Sequence, residues 1–324
     1  MITWIVRRFL QAIFVVLAMT LIVFIGVHVI GNPVDILISP EADQAERARI
    51  IANLGLDLPL WQQYLHFLGG ALKGDLGRSF VFNEPALKLI AQRMPATLEL
   101  AVTAVLFSMC FGVPLGLYAG LKPDGFAGRA IMAASILGFS LPTFWVGLML
   151  IMVFAVQLGW LPSTGRGETG MLFGIPWSFL TWDGLRHMFM PALNLSLFNI
   201  SLVLRLTRAG VRETLPMDFV KFARAKGLSP RRVIFVHVLK NIMIPVVTVL
   251  GLELGSTIAF AVVTESVFAW PGMGKLIIDS INVLDRPVIV AYLMMIVLLF
   301  ITINLVVDIL YMILDPRVRL GRKS

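Results

Sequence analysis

Few residues of this 324-residue chain have the type and spacing that catalysis or metal binding requires. The chain contains four histidines, His28, His66, His187 and His237, which are far apart and form no pair with the spacing of helical metal ligands. Cys110 is the only cysteine, which excludes an intramolecular disulfide and a thiolate metal site. The sequence has no Walker A motif and no recognisable pairing of a nucleophile with a base. We therefore predict a non-catalytic chain without a metal site. Because it lacks a nucleotide-binding motif, the energy for any process that it drives must come from outside this chain.

Polar residues inside apolar runs are the remaining candidates for function. Glu253 lies near the middle of one such run, where a charged carboxylate must be protonated, paired or facing water. Gly251 and Gly255 allow another helix to approach closely. Two interpretations fit Glu253: a carboxyl hydrogen-bonded to a neighbouring subunit, or a pathway carboxylate that attracts the ammonium group or cation of a solute. Asn194 and Asn199 belong to the least apolar run, which predicts a helix facing the bundle interior or a pathway.

The composition places these residues in an integral membrane protein. Hydrophobic residues make up 58% of the chain and charged residues 14%, and the mean hydropathy is +0.88, far too apolar for a soluble domain. The formal net charge is +8, but the basic residues are interleaved with the apolar runs and form no soluble basic domain. We therefore predict that the chain has no nucleic-acid partner.

Six apolar runs are long enough to cross a bilayer as helices. The first is longer than a signal-peptide core and lacks a small-residue cleavage site, and the third is interrupted by Pro142. The six runs cover about residues 9–30, 97–121, 130–156, 189–207, 242–263 and 288–314. The predicted parts of the chain are a tail with the first helix at 1–30, an extracytoplasmic insertion at 31–95, a transmembrane core at 96–314 and a cytoplasmic tail at 315–324.

A stripe of glycines runs along the second of these predicted spans. Gly112, Gly116 and Gly120 recur at four-residue spacing, and such a stripe of small residues lets another helix approach closely. We expect this stripe to pack against a neighbouring helix, in preference to lining a pore.

The segment 213–245 is the only long basic stretch that membrane-length apolar runs enclose. It predicts two helices joined by a tight turn. We expect the first helix to begin at Pro216 and to stop at Gly227, where a left-handed backbone ends a helix. We expect the second to have Ser229 as its N-cap and Pro230 as its first residue.

Two features of this segment indicate more than an ordinary basic loop. One face of the first helix is predicted to carry Phe219, Phe222 and Ala223. Arg231 and Arg232 fall in the first turn of the second helix, where the helix dipole disfavours cations. A loop that only sets membrane orientation needs neither the caps nor the apolar face.

The sequence here resembles a known family. The run FARAKGLS at residues 222–229, with Leu239 and Pro245 downstream, resembles the cytoplasmic EAA loop of ABC importer permeases of the dipeptide, oligopeptide and nickel group. Lys221 stands where many members have an acidic residue. Residues 265–275, ESVFAWPGMGK, are similar to the family signature E-x-x-F-x-W-P-G-x-G. Shorter resemblances extend the match over essentially the whole chain, at residues 54–60, 74–80, 304–308 and 314–319.

The resemblance implies an all-α polytopic membrane protein with the type I ABC importer permease fold, six transmembrane helices and both termini in the cytoplasm. The distribution of basic residues agrees, because 17 of the 27 Lys and Arg fall in the segments assigned to the cytoplasm. The implied partners are a second homologous permease, two ABC ATPase subunits and an extracytoplasmic solute-binding protein in the bacterial inner membrane. The ATPases would bind ATP and Mg, and this chain would bind no cofactor.

The resemblance also implies roles for particular residues. Within a coupling loop at 213–240, the residues expected to couple to the ATPase are Phe219, Phe222, Ala223, Ala225, Lys226, Gly227, Leu228, Ser229, Arg231 and Arg232. The candidates for the pathway or its gate are Glu253, Glu265, Trp270, Pro271, Gly272, Asn194 and Asn199. Trp270 and the two chain-bending residues after it fit either a lid over the cavity or an anchor at the lipid interface.

The expected solutes are dipeptides and oligopeptides, with nickel complexes, glutathione and opines as alternatives. Two other classes of protein are alternatives. A secondary transporter typically shows internal repeats with paired broken helices, and no repeat is visible. A membrane anchor of an enzyme complex more often carries paired histidines or a quinone pocket, and neither is indicated.

Overall fold

The computed structural model describes residues 2–29 and 57–314, together with residues 44 and 52. This part of the chain is mostly helical and divides into two compact units. The minor unit contains residues up to 94 together with 276–301, and the major unit contains 95–275 together with the residues from 302 onward. The predicted insertion covers residues 31–95, and its part before residue 57 lies outside the described residues except for residues 44 and 52. The whole tail at 315–324 also lies outside them.

The helices and strands are numbered here in chain order. They are α1 (Ile2–Val29), α2 (Leu60–Leu72), α3 (Ala86–Leu121), α4 (Phe126–Ser140), α5 (Thr143–Leu150), β1 (Gly170–Leu172), β2 (Ile175–Trp177), α6 (Trp182–Thr214), α7 (Asp218–Ala225), α8 (Pro230–Arg232), α9 (Leu239–Val267), α10 (Met273–Asn282) and α11 (Arg286–Leu314). A π-helical turn at Ile151–Gln157 extends α5, and another at Val233–Val238 joins α8 to α9. A 3-10 turn at Ser178–Leu180 precedes α6.

The minor unit is organised by contacts between α1 and α2 and by one buried carboxylate. The Thr20 and Tyr64 hydroxyls lie 2.8 Å apart, and Phe24 meets Tyr64 edge to face with 5.4 Å between ring centroids. Asp285 is fully buried. It accepts a hydrogen bond from the backbone N–H of Phe80 at 3.1 Å and another from the Ser79 hydroxyl. Asp285 directly precedes α11, so these two hydrogen bonds fix the loop before α3 to the start of α11.

In the major unit, α6 lies at the centre. It packs against α9, α4 and α5, and the glycine stripe of α3 lies against it as well. A Cβ atom added to Gly116 would lie 2.5 Å from the Leu204 carbonyl oxygen. At Gly112 and Gly120 an added Cβ would lie 2.8 Å and 2.7 Å from Val203 and Val211 respectively. The predicted stripe therefore occupies the closest approach between α3 and α6.

Four helical stretches are long and apolar enough to span a membrane: Ala86–Leu121, Trp182–Thr214, Pro230–Val267 and Arg286–Val307. Two bent helices, Phe126–Ser140 and Thr143–Gln157, form a fifth span if they are counted together. The bend is 108° and falls where Pro142 was predicted to interrupt the span. α1 contributes a shorter apolar stretch, Leu10–Gly26. The described chain is thus a multi-pass membrane protein with four to five spans of full length.

Three details differ from the sequence predictions. α3 begins at Ala86, well before the predicted start at residue 97, so that Pro95 lies inside the helix. α6 extends beyond the predicted 189–207 at both ends because its charged and polar ends continue the helix outside the apolar stretch. The segment before α6 contains a two-stranded antiparallel hairpin, β1–β2, with Leu172 paired to Ile175. The all-helical prediction did not include this hairpin.

Candidate functional site

The basic segment at 213–240, here called the elbow, has the two-helix form that the sequence predicted. α7 ends in a Schellman motif: Leu228 N–H donates to the Ala223 carbonyl at 3.3 Å, and Gly227 N–H donates to the Arg224 carbonyl at 2.9 Å. Gly227 has φ of +74°, the left-handed conformation that this motif requires. The Ser229 hydroxyl accepts from Arg232 N–H at 3.5 Å and caps α8.

The start of α7 differs from the prediction. α7 begins at Asp218, with Met217 as its N-cap, and Pro216 lies in the turn before it. Met217 N–H donates to the Thr214 carbonyl at 3.1 Å, which closes that turn. Because α6 continues to Thr214 and α7 begins at Asp218, Pro216 falls in the turn between the two helices and does not open α7.

One face of α7 is buried against its own chain and the other is open. Val220 and Ala223 are buried in an apolar cluster with Val233. Phe219 and Phe222 are 41% and 61% exposed. The three residues predicted to share one face are therefore divided, since Ala223 points into the chain and the two phenylalanines point away from it.

The open side of the elbow is basic as well as aromatic. The Lys226 ammonium group lies 4.5 Å from the centroid of the Phe222 ring. The other predicted coupling residues are exposed or half-buried: Ala225, Gly227, Leu228, Ser229, Arg231 and Arg232. An exposed aromatic pair with a cation beside one of its rings is suited to docking in a groove of a partner protein.

At the other end of α6 and α9, buried side chains fix the predicted gate residues. Glu265 is fully buried. It accepts from the Thr97 hydroxyl at 2.6 Å and from Lys275 N–H at 3.0 Å. The Trp270 ring is also fully buried, and its indole N–H donates to the Ala96 carbonyl at 2.9 Å. An interface anchor at Trp270 is therefore wrong, because protein atoms surround the ring and satisfy its polar group.

The remaining residues of the WPG turn lie beside the same carboxylate. A Cβ atom on Gly272 would overlap the Glu265 carboxylate, so a larger residue there would displace this buried, hydrogen-bonded group. Pro271 is half-buried. The structure thus brings together Glu265, Trp270, Pro271 and Gly272 as a rigid turn, and their predicted role in a pathway or gate stays a prediction.

A second buried carboxylate of the major unit, which the sequence analysis did not select, holds the segment before α6. Glu99 accepts from the Arg166 guanidinium at 2.7 Å and from Ser178 N–H at 2.6 Å. Arg166 also donates to the Pro176 carbonyl at 2.7 Å, and its guanidinium lies 5.7 Å from the Trp270 ring centroid. One feature of the sequence could have identified Glu99: it is a lone acidic residue near the start of an apolar run. A carboxylate buried at such a position requires a partner.

The polar residues of α6 meet hydroxyl groups of α9. The Asn194 amide donates to the Thr264 hydroxyl at 3.1 Å, and the Asn199 amide donates to the Thr257 hydroxyl at 2.8 Å. Both asparagines are buried. These bonds fix α6 to α9. Glu253 lies one turn from Thr257 and is half-buried, and within the described residues its carboxylate has no hydrogen-bond or ion-pair partner.

Comparison with known proteins assigns the chain to a family. Residues 112–320 match the family described as binding-protein-dependent transport system inner membrane component. Residues 1–101 match the N-terminal region of the membrane components of the same transport systems. The first match covers more than half of the chain, so the chain belongs to this family of transport-system membrane components.

Curated relatives match over nearly their full length. The chain is 41% identical to a di/tripeptide transport system permease protein, DppB, of Pseudomonas aeruginosa strain UCBPP-PA14, over 98% of this chain and 99% of the relative. It is 38% identical to the dipeptide transport system permease protein DppB of Escherichia coli K12, over the same shares. It is 37% identical to the glutathione transport system permease protein GsiC of that strain, again over 98% and 99%.

A solved structure shares the fold. An inward-facing form of the MetNI methionine ABC transporter matches with a TM-score of 0.53 and 15% sequence identity, covering 70% of this chain and 96% of that chain. At this identity the likeness concerns the fold alone. It agrees with the permease fold that the resemblance implied.

Proposed function

We propose that the chain is the membrane-spanning permease subunit of an ABC importer for dipeptides and oligopeptides, forming half of the translocation pathway. Membership of the binding-protein-dependent family and the peptide permeases among its relatives support this proposal. Glutathione is a second candidate solute, which the 37% identical glutathione permease supports. Because glutathione is itself a tripeptide, both candidates present an amide backbone with charged ends to the same pathway.

The complete transporter contains a second homologous permease, two ATPase subunits and an extracytoplasmic solute-binding protein. The ATPases bind ATP and Mg, and this chain catalyses no reaction and holds no cofactor. Six helices cross the bacterial inner membrane, with α1 as the first, and both termini are cytoplasmic. The concentration of Lys and Arg around the elbow supports this orientation.

The elbow carries the coupling to the ATPase. α7 presents Phe219 and Phe222 outward, while Val220 and Ala223 fix it to the apolar cluster that α6 and α9 share. A displacement of α7 is therefore transmitted to the two helices whose polar faces meet at Asn194 and Asn199. ATP binding would move the elbows and open the cavity toward the solute-binding protein, as in the alternating access of the resembled family.

The open aromatic face of α7 is the single observation that carries this proposal. We predict that Phe222→Ala lowers solute-stimulated ATP hydrolysis and uptake by about ten-fold or more, because removing a hot-spot aromatic costs about 2 kcal/mol or more of docking energy. The measurement uses the assembled transporter in proteoliposomes with its binding protein and a labelled dipeptide.

The matched control is Phe126→Ala, which removes an 88% exposed phenylalanine outside the elbow. It should leave coupling unchanged. Full coupling in the Phe222→Ala transporter would contradict the docking role of α7. Solute uptake that continues without ATP would contradict the importer and indicate a secondary transporter, and competition by glutathione separates the two candidate solutes.

A further inference from the structure

The major unit contains a cavity of about 370 Å³ at the Trp182 end of α6, away from the elbow. Its nine lining residues include only two polar ones, Thr103 and Arg186. The size is within the range of small-molecule pockets, which are mostly apolar with a few polar groups that orient the ligand. No step of the proposed coupling mechanism uses this cavity.

The cavity lies at the depth where lipid headgroups meet acyl chains. Thr103 is 18 residues from the elbow-side end of α3 at Leu121, or about 27 Å along the helix, close to the thickness of the hydrocarbon core, about 30 Å. Trp160 and Trp182 are 62% and 77% exposed. Tryptophans concentrate at membrane–water interfaces, so these two mark the headgroup level of the cavity.

The polar groups of the cavity select a ligand with one anionic group. The Thr103 hydroxyl is already engaged, donating to the Glu99 carbonyl at 2.8 Å. The Arg186 guanidinium donates one hydrogen bond, to the Trp160 carbonyl at 2.8 Å. Its other donors bond to no group in the described part of the chain. The nearby Asp183 carboxylate accepts from Glu168 N–H at 2.8 Å and therefore faces the loop.

The apolar wall continues from this guanidinium toward the membrane interior. Phe189 contacts Phe107 with 5.6 Å between ring centroids, and Phe107 contacts Phe111 at 5.8 Å. Phe189 and Phe111 are 43% and 44% exposed. A peptide solute would need several polar partners for its amides and for two opposite charges, which this wall lacks. A ligand with one acidic head and a hydrocarbon tail satisfies both the guanidinium and the aromatic wall.

We propose that this cavity is a phospholipid site, in which Arg186 binds the lipid phosphate and one acyl chain lies along Phe107 and Phe189. Guanidinium and phosphate form short charge-assisted hydrogen bonds, frequently two in parallel. The phosphate is common to anionic and zwitterionic lipids. The site therefore binds a phospholipid of the adjacent leaflet and does not bind the transported solute.

The test is native mass spectrometry of the assembled transporter after delipidation, titrated with dioleoylphosphatidylglycerol, dioleoylphosphatidylethanolamine or dioleoylglycerol. We expect one tight site for each phospholipid and at least about ten-fold weaker binding of dioleoylglycerol, which lacks the phosphate. Arg186→Gln should weaken phospholipid binding by about ten-fold or more. Leu185→Trp, which fills the cavity, should weaken binding of all three lipids.

The matched control is Arg212→Gln, which removes an exposed arginine from the other end of α6 and should leave lipid affinity unchanged. If only dioleoylphosphatidylglycerol binds tightly, the result still supports a phospholipid site, because that lipid carries the phosphate and its net negative charge adds to the affinity. Equal affinity of wild type and Arg186→Gln for every lipid would overturn the proposal. If a neighbouring subunit filled the cavity, both cavity variants would keep wild-type lipid binding, and that result would overturn it too.

Discussion

Phe173 stands at a position where the backbone favours a different residue. It forms the two-residue turn of the β1–β2 hairpin with Gly174, and the two have φ of +53° and +75°. Positive φ at both positions defines a type I′ turn, which favours Asn or Gly at the first position. The Phe173 side chain is 93% exposed, so packing within the chain does not compensate for this strain.

We therefore predict that Phe173→Asn stabilises the hairpin by about 1 kcal/mol, since a left-handed backbone costs most residues about that much and asparagine less. Hydrogen exchange of the amides at 170–177 should slow by about five-fold, the factor that corresponds to 1 kcal/mol. The matched variant Met171→Asn changes an exposed strand residue and should not slow exchange. Faster exchange in Phe173→Asn would contradict the strain argument.

Glu253 lies within α9, one turn from Thr257. Its half-buried carboxylate has no protein partner among the described residues, so it can attract the ammonium group of a peptide transiently. We predict that Glu253→Gln slows uptake of free-amine peptides by about five-fold, corresponding to about 1 kcal/mol of lost attraction, and leaves N-blocked peptides unaffected. Glu168→Gln, at an exposed carboxylate, is the control. Equal uptake of both peptide classes at wild-type rates would leave only a structural role for Glu253.

At the scale of elements, the elbow depends on one left-handed residue. An added Cβ at Gly227 would meet no atom of the described residues within 4 Å, so the penalty expected within this part of the chain comes from its φ of +74°. Gly125 has φ of −70° and also has room for a Cβ atom, with the nearest atom at 3.6 Å. The two glycines therefore form a matched pair that differs in backbone conformation.

We predict that Gly227→Ala costs about 1 kcal/mol in the Schellman motif and reduces solute-stimulated ATP hydrolysis without reducing membrane insertion. Gly227→Asn should retain more coupling, because asparagine tolerates the left-handed region. Gly125→Ala should behave as wild type in both assays. Normal coupling in Gly227→Ala and in the bulkier Gly227→Val would show that the turn geometry is not part of the coupling element.

A buried ion pair holds three separate segments of the major unit together. Glu99 belongs to α3, Arg166 to the segment before the hairpin, and Ser178 to the turn before α6. The side chains of Glu99 and Arg166 are 1% and 11% exposed. Removing one partner of such a pair leaves a buried charge without compensation, which destabilises more than the pair itself stabilises.

We predict that Arg166→Met destabilises the fold by about 3 kcal/mol and exposes residues 159–181 to proteolysis. The measurements are the thermal unfolding midpoint of the assembled transporter and the position of the first protease cut. Arg78→Met is the control, because Arg78 is exposed and, among the described residues, its side chain donates only to the Asn83 carbonyl. An unchanged midpoint for Arg166→Met would show that the pair does not hold the segments together.

Local sequence patterns determined much of this protein. Gly227 and Ser229 specify a helix stop and a helix start through the backbone conformations and caps that these residue types favour, and both occur at the predicted positions. The chain break at Pro142 and the close helix approach at Gly116 follow from a missing N–H and a missing Cβ. These properties depend on few neighbours, so the order of residues alone reveals them.

Only the tertiary structure decided which side chains meet. Glu99 and Arg166 are 67 residues apart, and Thr97 and Glu265 are 168 apart, so no periodicity relates them. The same separation explains why the sequence left two roles open for Trp270: the aromatic type fits a lid or an interface anchor equally, and only the fold places the Ala96 carbonyl beside its N–H. A buried polar group is satisfied by whatever the fold brings next to it, and that choice is made by long-range packing.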